Sequence, residues 1–196
     1  MNQHSAVRRD LGGLEFSREQ AAFRSTIGIW MFLTTVTMLF AAFTSSYIIR
    51  RASADWQEIV PPPILWLNTL VLIGSSSSLV LAQRGLRRSH AVSFRTYLVL
   101  SCLLGIGFLI GQIVCWVQLS RQGIFLPTNP HSSFFYILTG LHGLHLLGGV
   151  MALVYGTMKT WSADSVRMDH LFRVSSIYWH FMAGLWLYIL FVLFVL

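Results

Sequence analysis

Long runs without a single Asp, Glu, Lys or Arg recur from about residue 27 to the last residue, Leu196. Each is longer than the roughly 18 apolar residues that suggest a membrane-crossing helix. Five can be placed, at about 27–49, 64–83, 96–119, 133–158 and 174–196. No soluble fold accommodates that pattern. With 55% hydrophobic residues and 11% charged ones, the composition is too apolar for an ordinary soluble domain. The expected fold class is therefore all-α, a polytopic membrane bundle of five transmembrane helices.

The expected domain organisation is a polar N-terminal segment, 1–24, followed by one five-helix domain over 25–196. Phe16–Arg24 has the makings of a short interfacial helix, with Ser17 and Gln20 as a weak capping pair. The first two dozen residues lack the apolar core of a cleavable signal peptide, so the first span is expected to serve as its own targeting signal.

Arginine and lysine placement predicts the orientation. An odd number of spans puts the termini on opposite sides. The side of the N-terminus holds Arg8, Arg9, Arg18, Arg24, Arg84, Arg87, Arg88, Arg95, Lys159, Arg167 and Arg173. The other side holds Arg50, Arg51 and Arg121. This predicts a cytoplasmic N-terminus and a periplasmic C-terminus. The net charge of +7 is spread over short loops, which argues against nucleic-acid binding. Cys102 and Cys115 share one expected helix, about 20 Å apart along its axis, too far for a disulfide.

Small and weakly polar residues suggest how the helices pack. Thr34, Thr37, Ala41 and Thr44 form a stripe on the first span. Gly74–Ser78 (GSSSS) lies in the second. Gly107 and Gly111 make a GxxxG pair in the third, and Gly148, Ala152 and Gly156 recur in the fourth. Gln112 is expected to make an interhelical hydrogen bond. All seven carboxylates, Asp10, Glu15, Glu19, Asp55, Glu58, Asp164 and Asp169, fall outside the spans. Intramembrane acids usually mark ion pathways and proton relays, so the chain does not read as a pump or ion-coupled transporter by itself.

The intramembrane residues of interest are histidines. His142 and His145 lie in FFYILTGLHGLHLLGGV (134–150), and His180 in YWHFMAGLW (178–186). Residues three apart share roughly one helix face, and opposite helix directions bring His145 and His180 to a similar depth. Three readings are open. A histidine pair from two helices can ligate haem. HxxH can contribute to a divalent-metal site, although the usual carboxylate or cysteine partner is lacking. Neutral histidines can also hydrogen-bond neighbouring helices or lipid headgroups.

TGLHGLHLLGG, YWHFMAGLW, the preceding SSFFY, WMFLTTVTMLFAAFTSSY of the first span and PPPILWLNTL of the second resemble subunit 3 of the haem-copper oxidases. The resemblance covers about residues 24–196 and points to a short form with five helices. It implies a non-catalytic subunit that packs against oxidase subunits 1 and 2 and binds structural phospholipids. Haem and copper are expected in those partner subunits, with no cofactor or metal held by this chain. His142, His145, Tyr178, Trp179 and His180 are then expected to make lipid and interhelix contacts. A bacterial inner membrane is the expected location. The chain departs from the family pattern at three places where a carboxylate is common: Val36, Arg173 and Ala183 stand there. Other readings are the equivalent subunit of a quinol oxidase or nitric oxide reductase, and a free-standing membrane b-type cytochrome.

Overall fold

The computed structural model describes the backbone of residues 3–88, 90–159 and 165–196, with side chains at residue 20 and over 23–88, 90, 92–158 and 172–196. It contains five helices: α1 (Gln3–Arg51), α2 (Pro63–Arg87), α3 (Ala91–Arg121), α4 (Pro130–Lys159) and α5 (Ser165–Phe194). Each carries a segment long and apolar enough to cross a membrane. The helices outrun the five apolar runs because helical hydrogen bonding continues into polar ends, where hydropathy no longer registers a span. The segment 16–24 lies within the continuous α1. The side chain of Ser17 in its expected capping pair, and those of Arg8, Arg9, Arg18, Lys159 and Arg167, lie outside the described residues.

Local chemistry sets the helix ends. Pro63 opens α2, where a missing N–H costs nothing. Gly123, at φ +78°, closes α3; its N–H bonds the Ser120 carbonyl and the Ile124 N–H bonds that of Leu119, both at 3.1 Å. That is a Schellman ending, which favours glycine at the left-handed position. Before α4, the Asn129 side chain accepts from the Ser132 N–H at 2.9 Å, and the Ser132 hydroxyl accepts from the Asn129 N–H at 3.2 Å. Two otherwise unpaired donors are thereby satisfied.

α5 is the central element. It packs on α1, α2 and α4, while α2 packs on α3, α3 on α4, and α1 on α4. Half of the apolar window of α5 is buried, against 17% for α1, which is the peripheral helix. Trp179 and Trp186 of α5 are fully buried at the heart of the bundle.

The α2–α3 pair is held by hydroxyls. Ser75 and Ser101 each donate to the other's carbonyl, at 2.9 and 3.0 Å, and Ser78 donates to the Tyr97 carbonyl at 2.9 Å. The serine run thus works by bonding as well as by its small size. At Gly111 an added Cβ would collide with the Asn68 amide, whereas at Gly107 it would meet Val71 at an ordinary 3.9 Å. Only one member of the GxxxG pair is therefore a tight contact.

One expected packing face is not used, and a second engages a neighbouring helix only at Thr44, whose hydroxyl accepts from that of Tyr188 at 3.0 Å. An added Cβ would meet nothing within 4 Å at Gly148 or Gly156, and Ala152 is exposed. The tight glycine of α4 is Gly149, where a Cβ would lie 2.9 Å from the Tyr178 ring. Among the described residues of α1, Leu33, Val36, Phe40 and Tyr47 are buried, and Thr34, Thr37 and Ala41 face outward. The hydroxyls of Thr34, Thr37 and Thr44 donate to carbonyls four residues back in the same helix. Such self-bonding lets threonine face lipid without an unpaired donor.

Another close interhelical approach is at Gly105, where a Cβ would lie 2.6 Å from the Trp179 ring. Gly105→Ala must shift a fully buried indole and is expected to destabilise by about 1–3 kcal/mol. Gly107→Ala gains the same helix propensity without a clash. Heat-induced aggregation midpoints of the two variants test this; equal midpoints would remove Trp179 as the wedge.

Candidate functional site

Tyr178, Trp179 and His180 are consecutive in α5, so their side chains leave the helix about 100° apart. Each therefore meets a different neighbour. The Tyr178 hydroxyl donates to the His145 carbonyl of α4 at 2.7 Å, and its ring lies 5.9 Å from that of Phe32 in α1. The Trp179 indole fills the space left by Gly105 and Gly149, between α3 and α4. His180 Nδ1 is 2.6 Å from the Ser76 hydroxyl of α2.

The α4 histidines also separate. His142 is fully buried between the rings of Trp186, 5.0 Å away, and Phe108, 5.9 Å away. His145 turns toward α1, with its ring 6.2 Å from Phe32 and 6.1 Å from Phe40. Its Nδ1 lies 2.7 Å from the Leu141 carbonyl. A carbonyl only accepts, so Nδ1 carries a proton in this bond. The three histidines thus occupy three different interfaces. Among the described residues, no three His, Cys, Asp or Glu side chains gather as a metal-binding set. The positions of the three missing carboxylates also differ: Val36 and Ala183 are buried, Arg173 is exposed.

One expected bond is not formed. Gln112 is buried, yet neither its amide nitrogen nor its oxygen has a protein partner, because the nearby polar groups of α2 and α4 bond elsewhere. Asn68 donates to the Phe108 carbonyl at 3.0 Å, and Thr139 accepts from Trp116 Nε1 at 3.1 Å.

A further histidine matters more than its place in a turn suggested. His131, in the first turn of α4, accepts the Ile59 N–H on Nδ1 at 2.9 Å. Its Nε2 then carries the proton and donates to the Leu193 carbonyl at 3.2 Å, where the Tyr47 hydroxyl also donates. The Trp56 indole stacks on the imidazole, with centroids 5.1 Å apart and planes 18° apart. This clasp joins the α1–α2 loop to the starts or ends of α1, α4 and α5. Beside it lies an open cleft of about 630 Å³, lined by Ser46, Arg50, Asp55, Asn129 and Ser133 among others. The Arg50 guanidinium and Asp55 carboxylate pair at 2.7 Å on its wall. The sequence signal that was available is an aromatic-containing loop ending in three prolines, paired with a histidine just after Pro130.

Comparison with known proteins gives the family. The family model described as Cytochrome c oxidase subunit III matches residues 18–196. The chain belongs to the cytochrome c oxidase subunit III family. It is 31% identical to the "Probable cytochrome c oxidase subunit 3" of Mycobacterium tuberculosis (strain ATCC 25618 / H37Rv) over 172 residues, covering 83% of each chain. It is 26% identical over 168 residues to the cytochrome c oxidase subunit 3 of Bacillus sp. (strain PS3), covering 83% of this chain and 81% of that one. The Thermostichus vulcanus protein of the same name is 27% identical over 197 residues, covering 93% and 92%.

His131→Phe keeps a ring against Trp56 but leaves the buried Ile59 N–H unpaired, at an expected cost of about 1–3 kcal/mol. Limited proteolysis should then cut the loop 52–62 faster than in the wild type. An unchanged cleavage rate would show that the imidazole does not pin the loop.

Proposed function

We propose that the chain is a non-catalytic structural subunit of an aerobic haem-copper cytochrome c oxidase, the third subunit, supporting dioxygen reduction and proton translocation carried out by its partners. The observation that carries this reading is the family match running through all five helices, from residue 18 to the last. The relatives' names, all specifying cytochrome c oxidase, favour that complex over a quinol oxidase or nitric oxide reductase. The divergence of His142, His145 and His180 to separate interfaces disfavours a b-type cytochrome, which needs two imidazoles facing one haem.

In this reading subunits 1 and 2 hold the haem and copper, and this chain packs beside subunit 1. Exposed apolar side chains such as Trp30, Met38, Leu103, Ile110 and Met151 face subunit 1 or lipid tails. His142 and Trp179, fully buried, act between helices. The partly exposed His145 and His180, with Tyr178 beside them, are where phospholipid meets the bundle. The membrane is the bacterial inner membrane. Eleven basic residues on the side of the N-terminus, against three on the other, support a cytoplasmic N-terminus and a periplasmic C-terminus.

Affinity purification through this chain in mild detergent should recover oxidase subunit 1 and its haem absorbance, while the chain alone shows no Soret band. Recovery without subunit 1 would refute the assignment. His180→Leu should reduce bound phospholipid or subunit retention while the haem spectrum of the assembled complex stays intact. Loss of haem signal from a correctly assembled complex would count against a structural role for that residue.

A further inference from the structure

The His131 imidazole is 2% exposed, and both of its nitrogens are engaged. The two bonds demand opposite roles. A backbone N–H only donates, so Nδ1, 2.9 Å from the Ile59 nitrogen, is an unprotonated acceptor. A carbonyl only accepts, so Nε2, 3.2 Å from the Leu193 oxygen, carries the proton. The neutral ring, in this one tautomer, satisfies both partners. A protonated imidazole has a donor at each nitrogen and would set an N–H against the N–H of Ile59.

The Ile59 bond ties the second half of the α1–α2 loop to α4. Among the described residues, the Ile59 N–H is the one bonded backbone donor of residues 57–60, and Pro61, Pro62 and Pro63 have no N–H to offer. The earlier part of the loop bonds to itself and to the end of α1. The N–H groups of Ser53 and Trp56 meet the Arg50 and Ser53 carbonyls, Asp55 pairs with Arg50, and Glu58 with Arg51. Exposed ion pairs of this kind hold weakly. The Trp56 stack survives in either charge state of the ring, because an indole face attracts a cation.

The charges that reach the ring are few. Glu58 of the loop favours a proton there, and Arg51 of α1 opposes it. Tyr47 of α1 and Phe194 of α5 present ring edges, and α5 has no Asp, Glu, Lys or Arg after Arg173. On α4 the next titratable side chain is Tyr136.

We propose that His131 is an acid-sensitive latch on the α1–α2 loop: the neutral ring pins Ile59 to α4, and protonation of the ring frees residues 57–60. The ring takes up a proton when the loop opens transiently, and the protonated ring cannot accept the Ile59 N–H on reclosure. The Gln57 carbonyl, beside the ring, is the acceptor available to the new N–H. The neighbouring cleft of about 630 Å³ carries Asp55 of the same loop on its wall, so the latch also bears on the shape of that cleft. The device follows from the packing of this chain and does not rest on the subunit assignment.

The test is hydrogen–deuterium exchange of peptides spanning 57–60 in the wild-type membrane complex, with rates taken relative to the intrinsic rate at each pH. The Ile59 amide should be protected at about pH 8 and lose that protection about tenfold or more at about pH 5. Equal protection at both ends overturns the proposal. Two variants separate the imidazole from the loop carboxylates. Asp55→Asn combined with Glu58→Gln removes the competing titrations and should keep a loss of protection at low pH; a flat profile there overturns the latch. In His131→Asn the side-chain oxygen accepts in place of Nδ1 and does not titrate, so the response to pH should vanish. A loss of protection at low pH equal to that of the wild type would assign the response to other groups and overturn the latch.

Discussion

The packing of Trp179 against Gly105 and Gly149 governs the arrangement of this bundle. A fully buried indole fits there only because neither glycine has a Cβ; an added methyl would lie 2.6 Å from the ring at Gly105 and 3.2 Å at Gly149. The fit wedges the Trp179 side chain of α5 between α3 and α4. Once it is locked, the 100° step along the helix sends Tyr178 toward α4 and α1 and His180 toward α2. The peripheral α1 and the α2–α3 pair are thus both referenced to one residue triplet. In a bilayer, where lipid tails are as apolar as leucine, close fit and hydrogen bonds replace the hydrophobic effect as the force between helices.

Hydrogen bonding shows the same economy of position. Reciprocal serine bonds join α2 to α3 midway along the helices. At the bundle end that carries the α1–α2 and α3–α4 loops, His131 gathers a loop N–H and the last carbonyls of α5. Between these lies the level of Asn68, Thr69, Gln112, Thr139 and His142. Asn68, Thr69 and Thr139 bond within the protein, and Gln112 and His142 have no protein partner. Buried polar groups thus occur at several levels along the bundle.

The number and approximate place of the helices were legible in the sequence, because a bilayer imposes a length and an apolarity that leave few alternatives. The family was legible from local motifs, TGLHGLHLLGG and YWHFMAGLW above all. Packing faces were not. Gly148, Ala152 and Gly156 have the spacing of a tight seam, yet Gly149 makes the contact. Small-residue spacing identifies a possible face but not the aromatic that must arrive opposite it, and Trp179 comes from another helix. The threonine stripe of α1 misled for a related reason: threonine can satisfy itself on its own helix, so its polarity does not require a partner. Gln112 was expected to bond a neighbouring helix, and the neighbours had already spent their donors and acceptors on one another. His131 was hidden because its partners are backbone groups 72 and 62 residues away in sequence.

The departure from the family pattern at Val36 has a local explanation in this geometry. The His145 ring lies against Phe32 and Phe40, one turn on either side of Val36 in α1. A carboxylate at position 36 would therefore stand close to that imidazole, in a place where Val36 is 2% exposed. Burying an ion there is costly unless a partner compensates it. In this chain His145 directs Nδ1 to the carbonyl of Leu141, a bond that asks nothing of α1. With Nδ1 served by its own helix, the imidazole makes only ring contacts with α1, and that helix is held by these aromatic contacts and by the Tyr188–Thr44 bond.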